Sequence, residues 1–321
     1  MLSVRDAFQR IGGIVICVLL GLQSCTQDTP APDPVAPGPS SPPAEATVAS
    51  PGDHVSFFVI GKSWNFDQDS AGKLTLVDMG YFTEIFKTAG GEVSDAFMQL
   101  DAPGAEPIPF DEEGDGGAVL YGMSGVRHQA IETLDAELPN GTYLFRFSTP
   151  AGDIENFDIS LTGADGQTDL PPGPVINLEQ AGALVPNDGI APGVDVVVSW
   201  TPFLTGRADP NGIADDLIFV MMKDCRGERA FHSGRPLDTP NPLEPDKPSD
   251  TLLTFANDQV VIPGSAWRPG VHYTLDVEHA RLLDTDKRQG VVGMSTYAVT
   301  THLPVRVTGG AAPGDACPAD D

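Results

Sequence analysis

Residues 267–277 read Trp267-Arg268-Pro269-Gly270-Val271-His272-Tyr273-Thr274-Leu275-Asp276-Val277. Pro269-Gly270 marks a turn, and beyond it Tyr273, Leu275 and Val277 alternate with Thr274 and Asp276. Alternation with period two places one row of side chains in a core and the other in water, so Tyr273–Val277 reads as a strand. Upstream, Val194, Val196, Val198 and Trp200 alternate with Asp195, Val197 and Ser199 in the same way. Leu217–Met222 is continuously apolar, as suits a central strand, and Asp258–Ile262 and Thr296–Thr301 supply two more. Gly234–Ser249, rich in proline, reads as a long irregular crossover.

The same pattern recurs 130 residues earlier in the chain. Leu138-Pro139-Asn140-Gly141-Thr142-Tyr143 leads into Tyr143, Phe145 and Phe147, again alternating. Around it, Val55–Ile60, Lys73–Val77, Tyr81–Phe86, Ala118–Tyr121 and Phe157–Leu161 are short runs rich in β-branched and aromatic residues, separated by Gly, Pro and Asp. Such runs predict antiparallel strands. A single helical stretch is expected between His128 and Leu138, where Ile131, Leu134 and Leu138 share a face. Pro171-Pro172-Gly173-Pro174 separates the two halves. The expected organisation is an all-β chain with two antiparallel β-sandwich domains, residues 52–165 and 171–308, and a flexible tail over 309–321.

The second half resembles the fibronectin type III and immunoglobulin-like sandwiches. Pro174–Leu178, Val196–Pro202 with Trp200, the Pro269-Gly270…Tyr273 corner and Gly293–Thr301 follow that family's order, although the Gly234–Ser249 crossover is longer than usual. The resemblance implies a tyrosine corner, in which the ring packs inside and the hydroxyl bonds upstream backbone. Tyr143 repeats the design in the first half. The tandem is also similar to uncharacterised exported bacterial proteins, which implies an architecture and no activity.

The N-terminus carries an address. Arg5 and Arg10 precede the apolar run Ile11–Leu22, which is short of the ~20 residues needed to cross a bilayer core and fits the apolar segment of a signal peptide. It ends in Leu22-Gln23-Ser24-Cys25, which resembles the lipobox of bacterial lipoproteins, with Gln23 a mild departure. The resemblance implies cleavage of residues 1–24, a diacylglycerol on Cys25 and a membrane anchored through lipid. Thr26, where an aspartate would retain the protein in the inner membrane, favours the outer one. Residues 25–51 form a proline-rich, disordered linker. With prolines at 30, 32, 34, 37, 39, 42, 43 and 51 and no aromatic residue, it cannot bury a core and stays close to polyproline II. At ~3.1 Å per residue, residues 29–51 would reach roughly 70 Å.

Composition narrows the partners. With 18 Lys and Arg against 45 Asp and Glu, the formal net charge is −27. That surface repels phosphate backbones, so no nucleic acid is expected as a partner; an envelope protein or glycan is compatible with it. After export and acylation only Cys225 and Cys317 remain as thiols, a natural disulfide pair in an oxidising compartment.

Catalytic chemistry is not visible. Gly122-Met123-Ser124-Gly125 has Val126 where a nucleophile elbow needs glycine, and Gly61-Lys62-Ser63 ends like a phosphate loop but has Ser56 in place of its first glycine. The histidines at 54, 128, 232, 272, 279 and 302 lack metal spacing, and His272 and His279 read as partly exposed strand residues. Asp209, Asn211, Asp215 and Asp216 gather oxygen ligands of the type calcium prefers, on a sequence that is also a strong turn signal. Asp111–Asp115 and Asp67–Asp69 are weaker versions of the same pattern. Trp200 and Trp267 read as core, whereas Trp64, near an expected turn, reads as the one exposed tryptophan. The residues therefore point to a non-catalytic envelope lipoprotein for structural or binding work. A calcium-dependent or carbohydrate-binding accessory module is the alternative.

Overall fold

The computed structural model describes residues 49–115, 118–162, 170–234, 240–241, 244–248, 252–312 and 317. The expected signal peptide, Cys25 and nearly all of the proline-rich linker lie outside the described residues. In chain order the elements are β1 (Val55–Gln68), β2 (Leu74–Lys87), β3 (Ser94–Leu100), β4 (Ile108–Pro109), β5 (Asp111–Asp115), β6 (Ala118–Ser124), the helix α1 (Ile131–Glu137), β7 (Thr142–Thr149) and β8 (Gly152–Ser160). Past the proline boundary come β9 (Ile176–Gln180), β10 (Ala183–Leu184), β11 (Val196–Trp200), β12 (Leu217–Asp224), β13 (Arg229–His232), β14 (Pro240–Asn241), β15 (Glu244–Pro248), β16 (Leu253–Thr254), β17 (Gln259–Ile262), β18 (His272–Arg288) and β19 (Val291–Arg306). The protein is all-β, with one short α-helix among the described residues.

The strands form one large sheet and two smaller ones that pack on it, besides a β14–β15 pair. The nine-stranded sheet runs β13-β12-β18-β19-β1-β2-β6-β5, with β16 also on β12; the four-stranded sheets run β4-β3-β7-β8 and β10-β9-β11-β17. Side-chain alternation explains why both small sheets use the same face. Along β19, Val291, Tyr297 and Val299 belong to the first core, and Leu303 and Val305 to the second. All are odd-numbered, so they share one side of the strand.

In the first core, Phe58 of β1 stacks on Phe145 at 4.2 Å and meets Phe157 edge-on at 4.9 Å. Burying each such ring contributes about 1.5–3 kcal/mol. In the second, Val220, Leu275 and Val277 face Ile176, Val196, Val198 and Trp200. Two sandwiches therefore stand side by side on a common inner sheet.

That continuity was not apparent from the chain. β1 joins β19 in parallel, from Phe57 opposite Val292 to Asp67 opposite His302. The segments 52–165 and 171–308 thus share their central sheet, and one compact unit runs from Val48 to Asp321. Two runs expected as separate strands, Lys73–Val77 and Tyr81–Phe86, fall from Leu74 onward within the single strand β2. The β18–β19 hairpin extends well past the expected Val277, to Arg288.

Both expected corners form. Tyr273 Oη donates to the Ala266 carbonyl at 3.0 Å and accepts from the Arg268 amide at 3.0 Å; Tyr143 Oη donates to the Pro139 carbonyl at 2.7 Å.

Candidate functional site

Among the described residues no second sheet lies over the other face of the central sheet, and there a groove of about 500 Å³ opens. Its floor is dictated by the alternation already described. Where Phe58 and Ile60 point to the first core, Phe57 and Val59 point to the groove, beside Phe86, Val292 and Met294. Phe57 and Phe86 stack at 4.3 Å. Gly61 is required here: a Cβ on it would lie 2.6 Å from the ring of Phe82 and 2.7 Å from Thr296 Cγ2. Phe219, Met221 and Leu282 line the groove from β12 and β18.

One end of the groove is charged. Asp276 lies opposite His302, and Glu278 opposite Thr300, in the β18–β19 register. His302 Nδ1 and Asp276 Oδ1 are 2.7 Å apart, and Thr300 Oγ1 donates to Glu278 Oε2 at 2.9 Å. The Asp276 carboxylate raises the His302 pKa, whereas burial raises that of Glu278. Perturbed groups in a cleft mark a candidate site. Their geometry, however, is that of cross-strand pairs: both carboxylates stand two residues apart on β18 rather than on facing walls. Arg127, Lys223 and Arg229 add cations to the lining.

The sequence-predicted residues fall elsewhere. Cys225 and Cys317 are bridged, with Cα atoms 5.5 Å apart. The Asp209–Asp216 loop is organised by its own backbone. Asp209 accepts from the amides of Asn211 at 3.0 Å, Ile213 at 2.8 Å and Ala214 at 3.1 Å, and from Thr285 Oγ1 at 2.9 Å. Burial alone would raise its pKa; those donors outweigh burial and hold the carboxyl below its usual range.

Asp215 accepts from the Asp209 amide, and Asp216 from the amides of Arg207 and Leu282. Asn211 Nδ2 donates to the Thr285 carbonyl at 2.8 Å. The four side chains are brought into one loop, but the three carboxylates accept from amides and the Asn211 side chain donates to Thr285. Among the described residues no cluster of three or more His, Cys, Asp or Glu is placed to hold a metal. Asp69 likewise caps the amides of Ala71 and Lys73.

Two expectations are corrected. Trp64 is not exposed: only 7% of it is accessible, and it meets Tyr297 edge-on at 5.6 Å, because β1 continues to Gln68 instead of turning. His279 is not partly exposed but fully buried, its ring stacked on Phe203 at 4.8 Å and Nδ1 donating to the Pro172 carbonyl at 2.8 Å. Sequence reasoning missed the groove, whose residues alternate with core residues on the same strands. It also missed Lys62, which sits inside the dismissed Gly61-Lys62-Ser63 and is completely buried.

No family model matches the chain, and no curated protein matches it. Among solved structures it is similar to the FN1–FN3 domains of chicken CNTN1, at 11% identity and a TM-score of 0.16. The match covers 70% of this chain and 62% of that one, so the chain spans less than two thirds of that structure's length.

Proposed function

We propose that this protein is a non-catalytic module of the bacterial cell envelope. A lipid on Cys25 anchors it, residues 25–51 hold it off the membrane, and it binds an envelope protein or glycan through the groove on its central sheet. The observation that carries this reading is the groove: an apolar floor around Phe57, Phe86 and Met294, walled by the half-buried Phe219 and Met221, on the sheet face that no second sheet among the described residues covers. Apolar concavities with a few polar groups are the usual form of a binding site. The β-sandwich architecture supports a display role, and the acidic surface fits an exported chain kept soluble by charge.

The test has two arms. Cys25→Ser should move the protein from the detergent phase to the aqueous phase. Phe219→Glu with Met221→Glu should abolish retention on envelope glycans and purified envelope proteins while leaving the circular dichroism of the strands unchanged. Retention unaltered by the groove pair would overturn the binding face, and unaltered detergent partitioning would overturn the anchor.

A further inference from the structure

Lys62 lies in the middle of β1, on the face packed by the first core, and is fully buried. Its Nζ is 2.6 Å from Asp135 Oδ1 on α1 and 2.7 Å from Asn140 Oδ1, in the turn that precedes β7. The same Asn140 oxygen accepts from Tyr297 Oη at 3.1 Å. Trp64, Tyr297 and Tyr143 belong to the hydrophobic cluster of this core. An ammonium in such a place is costly, because taking a charge out of water is repaid only by close pairing. Burial lowers the Lys62 pKa against the opposing pull of Asp135, which favours the neutral amine, the nucleophilic form.

The four groups have complementary chemistry. Lys62 offers an amine next to a carboxamide. Asp135 contacts that amine and can take a proton from it. Tyr297 donates to the amide oxygen, where negative charge would develop if the carbonyl were attacked. We infer that Lys62 and Asn140 are joined in the mature protein by an intramolecular amide bond, formed by the fold itself.

In this step the Lys62 Nζ lone pair adds to Asn140 Cγ while Asp135 accepts a proton from Nζ, and Tyr297 stabilises the oxyanion. As the tetrahedral species collapses, Asp135 returns the proton to Nδ2, the Cγ–Nδ2 bond breaks and ammonia leaves. One C–N bond forms and one breaks, with no change of oxidation state and no co-reactant. The partial exposure of Asn140 gives ammonia a way out. The product ties the inner sheet, through β1, to the turn carrying the Tyr143 corner. That closes the first sandwich across its two layers.

Intact-mass spectrometry of the purified full chain, followed by peptide mapping, tests the bond. The chain should be lighter by one ammonia than its sequence and disulfide require, and a tryptic digest should contain a branched peptide joining Lys62 to Asn140. Asn140→Ala should restore the linear peptides. Lys62→Met should do the same, but burial makes it prone to misfold. Asp135→Asn therefore carries equal weight: it keeps the side-chain shape, removes the proton acceptor, and should leave a folded chain without the branch.

Asn140-Gly141 can also lose ammonia by closing on its own backbone to a succinimide. That product is a linear peptide, is cleaved by hydroxylamine, and persists in Lys62→Met. Finding the succinimide in place of the branch overturns the inference, as does an unmodified mass with free Lys62.

Discussion

The two sandwiches use one corner design and different ties. In the first, the core is aromatic, with Phe58, Phe145, Phe147 and Phe157 in contact, and the tie is internal: Lys62, Asp135 and Asn140 link the inner sheet, the helix and the corner turn. In the second, valine, leucine and isoleucine dominate among two tryptophans and the corner tyrosine. The tie there lies at the rim, where the Cys225–Cys317 bridge leads from the end of β12 and Asp224 pairs with both Arg226 and Arg268. A tyrosine hydroxyl bonded to backbone contributes only about 1 kcal/mol. Each corner is therefore reinforced by a stronger constraint nearby, and the comparison can be broken by removing the ties one at a time.

The largest effect should come from the disulfide. It closes 92 residues, which in the chain-entropy model corresponds to ~4–5 kcal/mol. Cys225→Ser with Cys317→Ser should lower the melting temperature by on the order of 10 °C. The Trp64–Tyr297 environment of the first core should be unchanged in near-ultraviolet circular dichroism at low temperature. An unaltered melting temperature would show that the bridge only decorates a chain end already held by packing.

Next in size is a pH effect at the join between the sandwiches. Burial pushes the His279 pKa down from 6.5 to about 4, opposed by its bond to Pro172. Nδ1 donates to that carbonyl, and Nε2 is buried with no partner among the described residues, so protonation would strand a charged donor. The folded state refuses a proton that the unfolded chain accepts below about pH 6.5. Stability is thus complete above that pH and falls as the pH drops to about 4, by roughly 3 kcal/mol.

His302, on the neighbouring strand, acts in the opposite sense. Its hydrogen bond to Asp276 raises its pKa, so its contribution is present below about pH 6.5 and is lost as pH rises through the raised folded value. Denaturation midpoints measured from pH 7 to 4 should fall in the wild type and stay nearly level in His279→Gln. Equal slopes in the two proteins would place the acid sensitivity elsewhere.

What the chain disclosed in advance follows the range of its interactions. Alternation and corners are local, so β11, β12, the start of β18 and both tyrosines could be placed from sequence. Cysteine arithmetic found the bridge because few partners existed. The parallel β1–β19 pairing joins strands more than two hundred residues apart, and no local pattern encodes it. The end of β18 was hidden by its charges. The expected strand stops at Val277 and His279 reads as partly exposed, yet Glu278 bonds Thr300, His279 stacks on Phe203, and Arg281 bonds Thr205 and pairs with Asp216. The same blindness concealed the candidate site. Its floor is made of the residues between core residues, which read as ordinary buried strand until the sheet order places them on the face opposite both small sheets, where Ile213, Ala214 and Leu282 pack on them. Lys62 was overlooked because a lysine in a strand normally faces water.

The smallest effect, and the sharpest comparison, lies in the corner hydroxyls. Both rings are almost wholly buried, so replacing tyrosine with phenylalanine keeps the packing and removes one oxygen. Tyr273→Phe deprives both the Arg268 amide and the Ala266 carbonyl of a partner, and should cost about 1–1.5 kcal/mol in urea denaturation, read as a shifted midpoint at unchanged slope. Tyr143→Phe deprives only the Pro139 carbonyl and should cost about 0.5–1 kcal/mol. Pro139 is bonded directly to Asn140. If Asn140 is covalently held by Lys62, the turn is already fixed and the hydroxyl adds little, so the cost belongs at the low end of that range. In the Asp135→Asn background, where the branch should not form, the turn loses that constraint and the same substitution should cost measurably more. Additive costs in the double variant would mean that corner and lysine act independently, and that the first sandwich is braced twice rather than through one connected turn.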